Sequence, residues 1–276
     1  MYKMQEDSPL FRILPDIVYT TAAGIPLSLD IIQPEPLPEG RMPVVLYIHG
    51  GGWMGGNRKG ERNTFLAAHG FFTISIDYRL SNQAIYPAQI EDAKAAVRWV
   101  RANAEHYHLD PEHIGVWGHS SGAHLATLLG TSAQIPELEG NSPPQHFSSH
   151  VQAVVDMCGP TDLSQMGGWH NLPDSPDARL LGGLVQEHLD LVRLANPITY
   201  VHSDLPPFLL FHGTQDEIVP LNQSELLYEA LTKVGADVTF IPMQDENHNL
   251  TAKGEESLDF IYQKTLDFFV KHLKDR

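Results

Sequence analysis

A chain of 276 residues, 42% hydrophobic and 19% charged, has the composition of a water-soluble globular enzyme, and its length is most economically one domain, residues 1–276. A net charge of −16 argues against nucleic acid and anionic membranes as partners, since both require a basic surface, and it disfavours strongly anionic substrates. The single cysteine, Cys158, excludes an internal disulfide, no apolar run is long enough to span a bilayer, and Met1 to Asp7 lack a signal peptide's apolar centre, so the expected address is cytoplasmic.

In chain order, residues 16–20 and 27–33 read as two antiparallel strands joined by a turn at Ala23-Gly24. Pro34, Pro36 and Pro38 then give an extended connection, unsuited to helix or central strand. The continuous apolar run 44–48 predicts a strand buried on both faces, and 71–76 predicts another. Between them lies a predicted helix over 61–68. The clearest helix covers 87–107, where Ile90, Ala93, Val97 and Val100 fall at helical spacing. Further strands are expected at 114–117, 151–157, 207–211 and 238–242, with helices at 224–234 and about 255–273. Strands separated by helical crossovers imply a mostly parallel sheet with helices on both faces. Two stretches break the alternation: 132–150, rich in Pro, Ser and His, and 163–204, which mixes Gly, Pro and short apolar pieces. Both are expected to form a loop and a modest cap over a pocket.

Three motifs carry chemistry. Gly118-His119-Ser120-Ser121-Gly122 follows the apolar run 114–117 and precedes a helix-forming stretch. An apolar strand, Gly-x-Ser-x-Gly and a helix together mount an exposed nucleophilic serine on a strained turn, which makes Ser120 the candidate nucleophile. His49-Gly50-Gly51-Gly52-Trp53 directly follows a predicted strand. Consecutive glycines let backbone N–H groups reach one oxygen unobstructed, so Gly51 and Gly52, joined by the N–H of Ser121, are the expected oxyanion-hole donors. An ordinary tight turn is the plain alternative, and a phosphate-binding loop lacks its Gly-Lys-Ser/Thr ending here. Asp216, just beyond the strand at 207–211, can accept the Nδ1 proton of a histidine.

With 15 histidines present, the base is chosen by position: His248 lies in the loop between the last strand and the last helix, where it can reach over the sheet to Ser120. The chain order Ser120…Asp216…His248 is that of an α/β-hydrolase rather than of chymotrypsin-like or subtilisin-like enzymes. His212 is expected to pack or hydrogen-bond at a strand end, His119 to pack beside the serine turn, Cys158 to be buried at a strand end, and Asp77-Tyr78-Arg79 to form a buried polar link. No metal site is expected: there is no His-Glu-x-x-His, and His119 and His124 are spaced to face apart on a helix. Trp53 and Trp169 are candidate pocket walls for the substrate.

Together these residues resemble the hormone-sensitive-lipase-like branch of the α/β-hydrolases, and in particular its small bacterial esterases of the acetyl-xylan/feruloyl type. The resemblance rests on residues 49–53, on Tyr86-Pro87-Ala88-Gln89-Ile90-Glu91-Asp92 opening a helix, on 118–125, on 158–163 and on 212–220. It implies an eight-stranded, mostly parallel sheet, a cap that sets acyl and alcohol preference, and serine carboxylester hydrolysis without cofactor. The expected substrates are short-acyl or aryl-acyl esters, small molecules or oligosaccharide esters, with a homodimer left open. One departure is the turn's Ser-Ser-Gly-Ala, where many relatives have Ser-Ala-Gly-Gly; it leaves the triad intact. The motif pair also resembles kynurenine formamidases, so an arylformamidase using the same triad is the alternative.

Overall fold

The computed structural model describes residues 10–60, 62–133 and 135–274. Its strands are β1 (Leu10–Ala22), β2 (Ile25–Glu35), β3 (Met42–Ile48), β4 (Phe72–Ile76), β5 (Leu109–His119), β6 (Ala153–Met157), β7 (Phe208–Gly213) and β8 (Val238–Met243). The helices are α1 (Thr64–Ala67), α2 (Ala88–Ala102), α3 (Ala104–Tyr107), α4 (Ser121–Thr131), α5 (Pro176–Leu181), α6 (Leu189–Ala195), α7 (Asn222–Lys233) and α8 (Glu255–Leu273). The strands form one eight-stranded sheet in the order β1-β2-β4-β3-β5-β6-β7-β8. β1–β2 and β2–β4 pair antiparallel, and every pairing from β4 through β8 is parallel. This is the α/β-hydrolase architecture that the motifs imply.

Period-two alternation divides the core between the two faces of the sheet. Val44, Leu46, Ile48, Val116 and Val154 point to one face and meet α2 and α4 through residues such as Val97, Val100, Leu125 and Leu129. Val45, Tyr47, Trp117, Val155 and Phe211 point to the other, against Phe65 and Leu66 of α1 and Ile261, Phe269 and Leu273 of α8. Both faces are covered, which is why the central strands read as unbroken apolar runs.

Several expected boundaries shift for identifiable reasons. The 87–107 helix divides at Asn103, whose side-chain amide donates to the Trp99 carbonyl at 2.8 Å; the chain resumes as α3 and ends at His108 with φ 54°. β5 starts five residues early, because Leu109 pairs with Met42 before an irregularity at Asp110-Pro111 and regular pairing from Ile114. β2 runs on through Pro34, which faces only β1, so its missing N–H interrupts no central ladder. The expected helix over 61–68 is the shorter α1, and Glu61 lies outside the described residues.

The stretch 132–150 is not part of a cap. It follows α4 rather than a strand and returns the chain to the start of β6, at the end of the sheet away from the serine turn. Glu139 binds Lys94 and Arg98 of α2 at 2.6 and 2.8 Å, and Arg101 donates to the carbonyls of Ser148 and His150, so the segment is tied along α2. The stretch 163–204 instead folds as short 3-10 turns with α5 and α6, and its residues Met166, Trp169, His170, Pro176 and Asp177 wall a cleft shared with Ser120.

Candidate active site

The carboxyl ends of β3, β5, β7 and β8 carry the candidate residues to one edge of the sheet. Ser120 occupies the sharp turn from β5 into α4 with φ 57° and ψ −125°, a backbone region that costs about 1–3 kcal/mol for a non-glycine residue. Close packing forces that turn. A Cβ on Gly118 would lie 2.4 Å from the Gly122 carbonyl, and one on Gly122 would lie 2.1 Å from the Ile48 carbonyl. Only glycines let the start of α4 sit directly against the end of β3. The Ser120 N–H donates to the Met157 carbonyl at 2.8 Å and so is not available to a ligand.

The loop after β3 crosses beside the serine, and Gly51, Gly52 and Trp53 all have positive φ (127°, 60° and 56°). The Gly51 carbonyl accepts from the N–H groups of Met54 and Gly55, closing the loop on itself. Among the described residues, the N–H groups of Gly51 and Gly52 donate to nothing, and the Ser121 N–H, first in α4, has no helical acceptor. Gly52 and Ser121 line the cleft with Ser120, whereas Gly51 is set one residue back from its wall. Tyr78 fixes this loop by donating its hydroxyl hydrogen to the His49 carbonyl at 3.0 Å while its ring stacks on His49. The rest of the Asp77-Tyr78-Arg79 link is structural as expected: Arg79 forks onto buried Asp92, and Asp77 binds Arg58.

Asp216, its side chain fully buried, holds four contacts. Its Oδ1 accepts from the N–H groups of Ile218 and Val219 at 2.8 Å each, and its Oδ2 accepts from His248 Nδ1 at 2.7 Å, with His212 Nε2 3.3 Å away. Burial alone would raise its pKa, but the hydrogen bonds from His212 and His248 outweigh it and hold the carboxyl far below the usual range. An ionised carboxylate can only accept, so Nδ1 of His248 carries the hydrogen and Nε2 is left as an acceptor, the tautomer of a general base. His212 shares its Nε2 hydrogen between Asp216 and the Val219 carbonyl while its Nδ1 meets Ser224, so it buttresses the carboxylate and is not free to serve Ser120. Glu217 beside Asp216 is exposed.

His119 links the two halves of the site. Its Nε2 donates to the His248 carbonyl at 2.8 Å, and the two rings lie 4.8 Å apart. Burial, reinforced by His248, pushes His119 down to about 4, which keeps it neutral near pH 7. Asp216 and His248 are thus joined, and His248 is brought beside the serine turn, but among the described residues no hydrogen bond joins Ser120 Oγ to the imidazole. Such bonds are commonly long in unliganded enzymes.

The cleft beside Ser120 is small, with an enclosed volume of about 30 Å³. Both candidate tryptophans line it. Trp53 is buried and donates its indole N–H to His124 Nδ1 at 3.3 Å, so it is a fixed wall, whereas Trp169 is 41% exposed and stacks on His170. A more open depression at Gln186 to Leu191 holds none of the candidate residues.

Ligand-capable atoms of His119, Cys158 and His248 lie within 4.8 Å of one another, as do those of Cys158, His212 and Asp216. Burial raises the Cys158 thiol well above its usual range and keeps it protonated, a poor metal ligand, and either set would compete with the Asp216–His248 bond.

Two features escaped the sequence reading. Glu246, almost fully buried, accepts from the N–H groups of Ala252 and Lys253 and from Ser257, bracing the His248 loop against α8. His170 and Asp177 form a buried pair at 2.6 Å in the cleft wall. The Ser175-Pro176 start of α5, an N-cap followed by proline, marks that helix locally but not the pair that its Asp177 makes.

A family model described as BD-FAE matches residues 29–231. Esterase LipQ of Mycobacterium tuberculosis is 32% identical over 226 residues, covering 80% of this chain and 53% of its own length. The chain spans about half the length of the curated relatives it matches. Among solved structures, a truncated carbohydrate esterase from gut microbiota superposes with a TM-score of 0.86 at 32% identity, covering 97% of this chain and 98% of that one. Esterase 2 of Thermogutta terrifontis with bound butyrate gives a TM-score of 0.79 at 25% identity, covering 100% and 99%. With three quarters of its length under the family model and its fold shared almost end to end, the chain belongs to the BD-FAE family of α/β-hydrolases.

Proposed function

We propose that the chain is a serine carboxylester hydrolase acting on short-acyl or aryl-acyl esters, acetyl or feruloyl groups on small molecules or oligosaccharides among them, through an acyl-enzyme. The observation that carries this reading is the 2.7 Å Asp216–His248 hydrogen bond delivered beside a serine held at positive φ. The relatives named as esterases support the same chemistry.

Ser120 Oγ attacks the ester carbonyl while His248 Nε2 takes its proton. The tetrahedral oxyanion is held by the N–H groups of Gly51, Gly52 and Ser121, where losing one donor costs about 10²–10³ in turnover. The bond to the leaving oxygen then breaks, and His248 returns the proton to the departing alcohol. Water repeats the cycle: His248 takes its proton, the hydroxide oxygen bonds to the acyl carbon, and Ser120 leaves reprotonated. Asp216 holds the imidazole in one tautomer and offsets the charge it gains. The scheme needs no cofactor. A small cleft walled by Trp53, Trp169 and Met166 favours short or flat acyl groups over long chains.

The test is turnover of p-nitrophenyl acetate, butyrate and octanoate beside methyl ferulate, with Ser120→Ala as control. Acetate or ferulate cleavage with a pre-steady-state burst, both lost in the control, is expected. Equal turnover in Ser120→Ala ends the triad reading, and a preference for octanoate ends the short-acyl one.

A further inference from the structure

In the cleft wall opposite the serine turn, His170 Nε2 sits 2.8 Å from the Ile218 carbonyl. A carbonyl only accepts, so Nε2 carries a hydrogen. Nδ1 lies 2.6 Å from Asp177 Oδ2, a contact that also requires a proton between the two atoms. Asp177 is fully buried and His170 nearly so; burial would lower the His170 pKa, but the bond to Asp177 outweighs it and raises it, which favours the imidazolium–carboxylate form of the pair. All the hydrogen-bonding capacity of His170 is used. Asp177 Oδ1 is different: it is buried and has no hydrogen-bond partner among the described residues, although Asp177 lines the same cleft as Ser120. A buried carboxylate oxygen without a donor is costly, and in folded proteins the donor is supplied by an ordered water or by a ligand.

We propose that Asp177 is a specificity residue whose Oδ1 accepts a hydrogen bond from a hydroxyl on the ester, so that the enzyme prefers hydroxylated esters to their alkyl counterparts. This rests on the ester-hydrolase reading above. The neighbouring walls, Trp53, Pro160, Met166, Pro176 and Val219, are apolar and give the rest of the substrate shape rather than polarity. In so small a cleft the hydroxyl stands within a few bonds of the scissile carbonyl, on the acyl or the alcohol side. A hydrogen bond to a charged acceptor in such a site is worth about tenfold to hundredfold in kcat/KM.

Two matched pairs, each exchanging a methyl for a hydroxyl, separate the sides: 2-hydroxyethyl acetate against propyl acetate, and ethyl glycolate against ethyl propionate. Wild-type enzyme should prefer the hydroxylated member of one pair at least tenfold, and which pair it is assigns the side. Asp177→Ala should bring the ratio close to one. Asp177→Asn, which keeps the shape but loses the charge, should lower the ratio about fivefold or more. A wild-type ratio near one in both pairs, or a ratio unchanged in the folded variants, overturns the proposal. If neither variant folds, Asp177 serves the stability of the cap and the proposal is likewise overturned. Propyl acetate turnover that vanishes in Ser120→Ala establishes the esterase reading independently of these ratios, and its absence removes both.

Discussion

Replacing Gly122 by alanine puts a methyl carbon 2.1 Å from the Ile48 carbonyl oxygen and 2.6 Å from that of His49, both backbone atoms that cannot rotate away. Since real Cβ atoms stay beyond 3.0 Å of such neighbours, the start of α4 must withdraw from the end of β3 by nearly 1 Å. That gap lies between the two halves of the proposed oxyanion hole, with Gly51 and Gly52 on one side and Ser121 on the other. A displacement of this size in a positioned site costs about 10² in rate, and the overpacking costs about 1–3 kcal/mol of stability. Gly130→Ala is the matched control at the far end of the same helix, where the new carbon meets side-chain atoms, Val154 Cγ2 at 2.6 Å and Phe208 Cζ at 2.9 Å. It should lose comparable stability by urea unfolding yet keep kcat on p-nitrophenyl acetate within about threefold. Gly122→Ala should remain folded and lose about 10² in kcat with KM little changed. Wild-type kcat in folded Gly122→Ala, or equal kcat losses in both variants, would refute the reasoning.

Asp216→Asn keeps the packing but permits the wrong imidazole tautomer, so kcat should fall about 10³–10⁴-fold; a loss under tenfold would detach Asp216 from the mechanism. Glu246→Ala frees the segment that braces the His248 loop, and should cut kcat about tenfold with a stability loss of about 1–3 kcal/mol, measured by turnover and urea unfolding. Stability should also depend on pH through His124, whose Nε2–H donates to the Ala195 carbonyl and whose Nδ1 accepts from Trp53, an arrangement only the neutral ring satisfies. Burial pushes His124 from 6.5 down to about 4, so the unfolded chain binds this proton first as pH falls. The contribution is therefore complete above pH 6.5 and shrinks toward pH 4, by about 2–3 kcal/mol at pH 4.5. His124→Gln should remove that part of the urea-unfolding difference between pH 7 and pH 4.5, and an unchanged difference would contradict the assignment. Asp216, whose folded pKa is held far below 3.8, adds little to the slope down to pH 4.5, and its contribution is lost as the pH falls further because the unfolded chain then binds the proton first.

Where the sequence spoke locally, it spoke reliably. Buried parallel strands announce themselves as unbroken apolar runs, and Gly118-His119-Ser120-Ser121-Gly122 marks a strand-to-helix turn because no larger residue fits against Ile48. The order of the motifs along the chain carried the α/β-hydrolase topology, since each lies at the end of a strand that the parallel sheet brings to one edge. What required the tertiary structure was everything set by distant partners. No local pattern says that 132–150 is tied along α2 by Glu139, because that depends on Lys94 and Arg98 lying more than forty residues away in sequence. The Asn103 break was hidden inside a sound helical period, as a side-chain amide competes with the backbone wherever local geometry allows. Which of 15 histidines touches Asp216 was a guess from position until the fold supplied the 2.7 Å contact. The buried His170–Asp177 pair had no signature at all. Chain order and side-chain type are properties of a sequence, but burial, tautomer and an unpartnered oxygen belong to the neighbours that folding brings together.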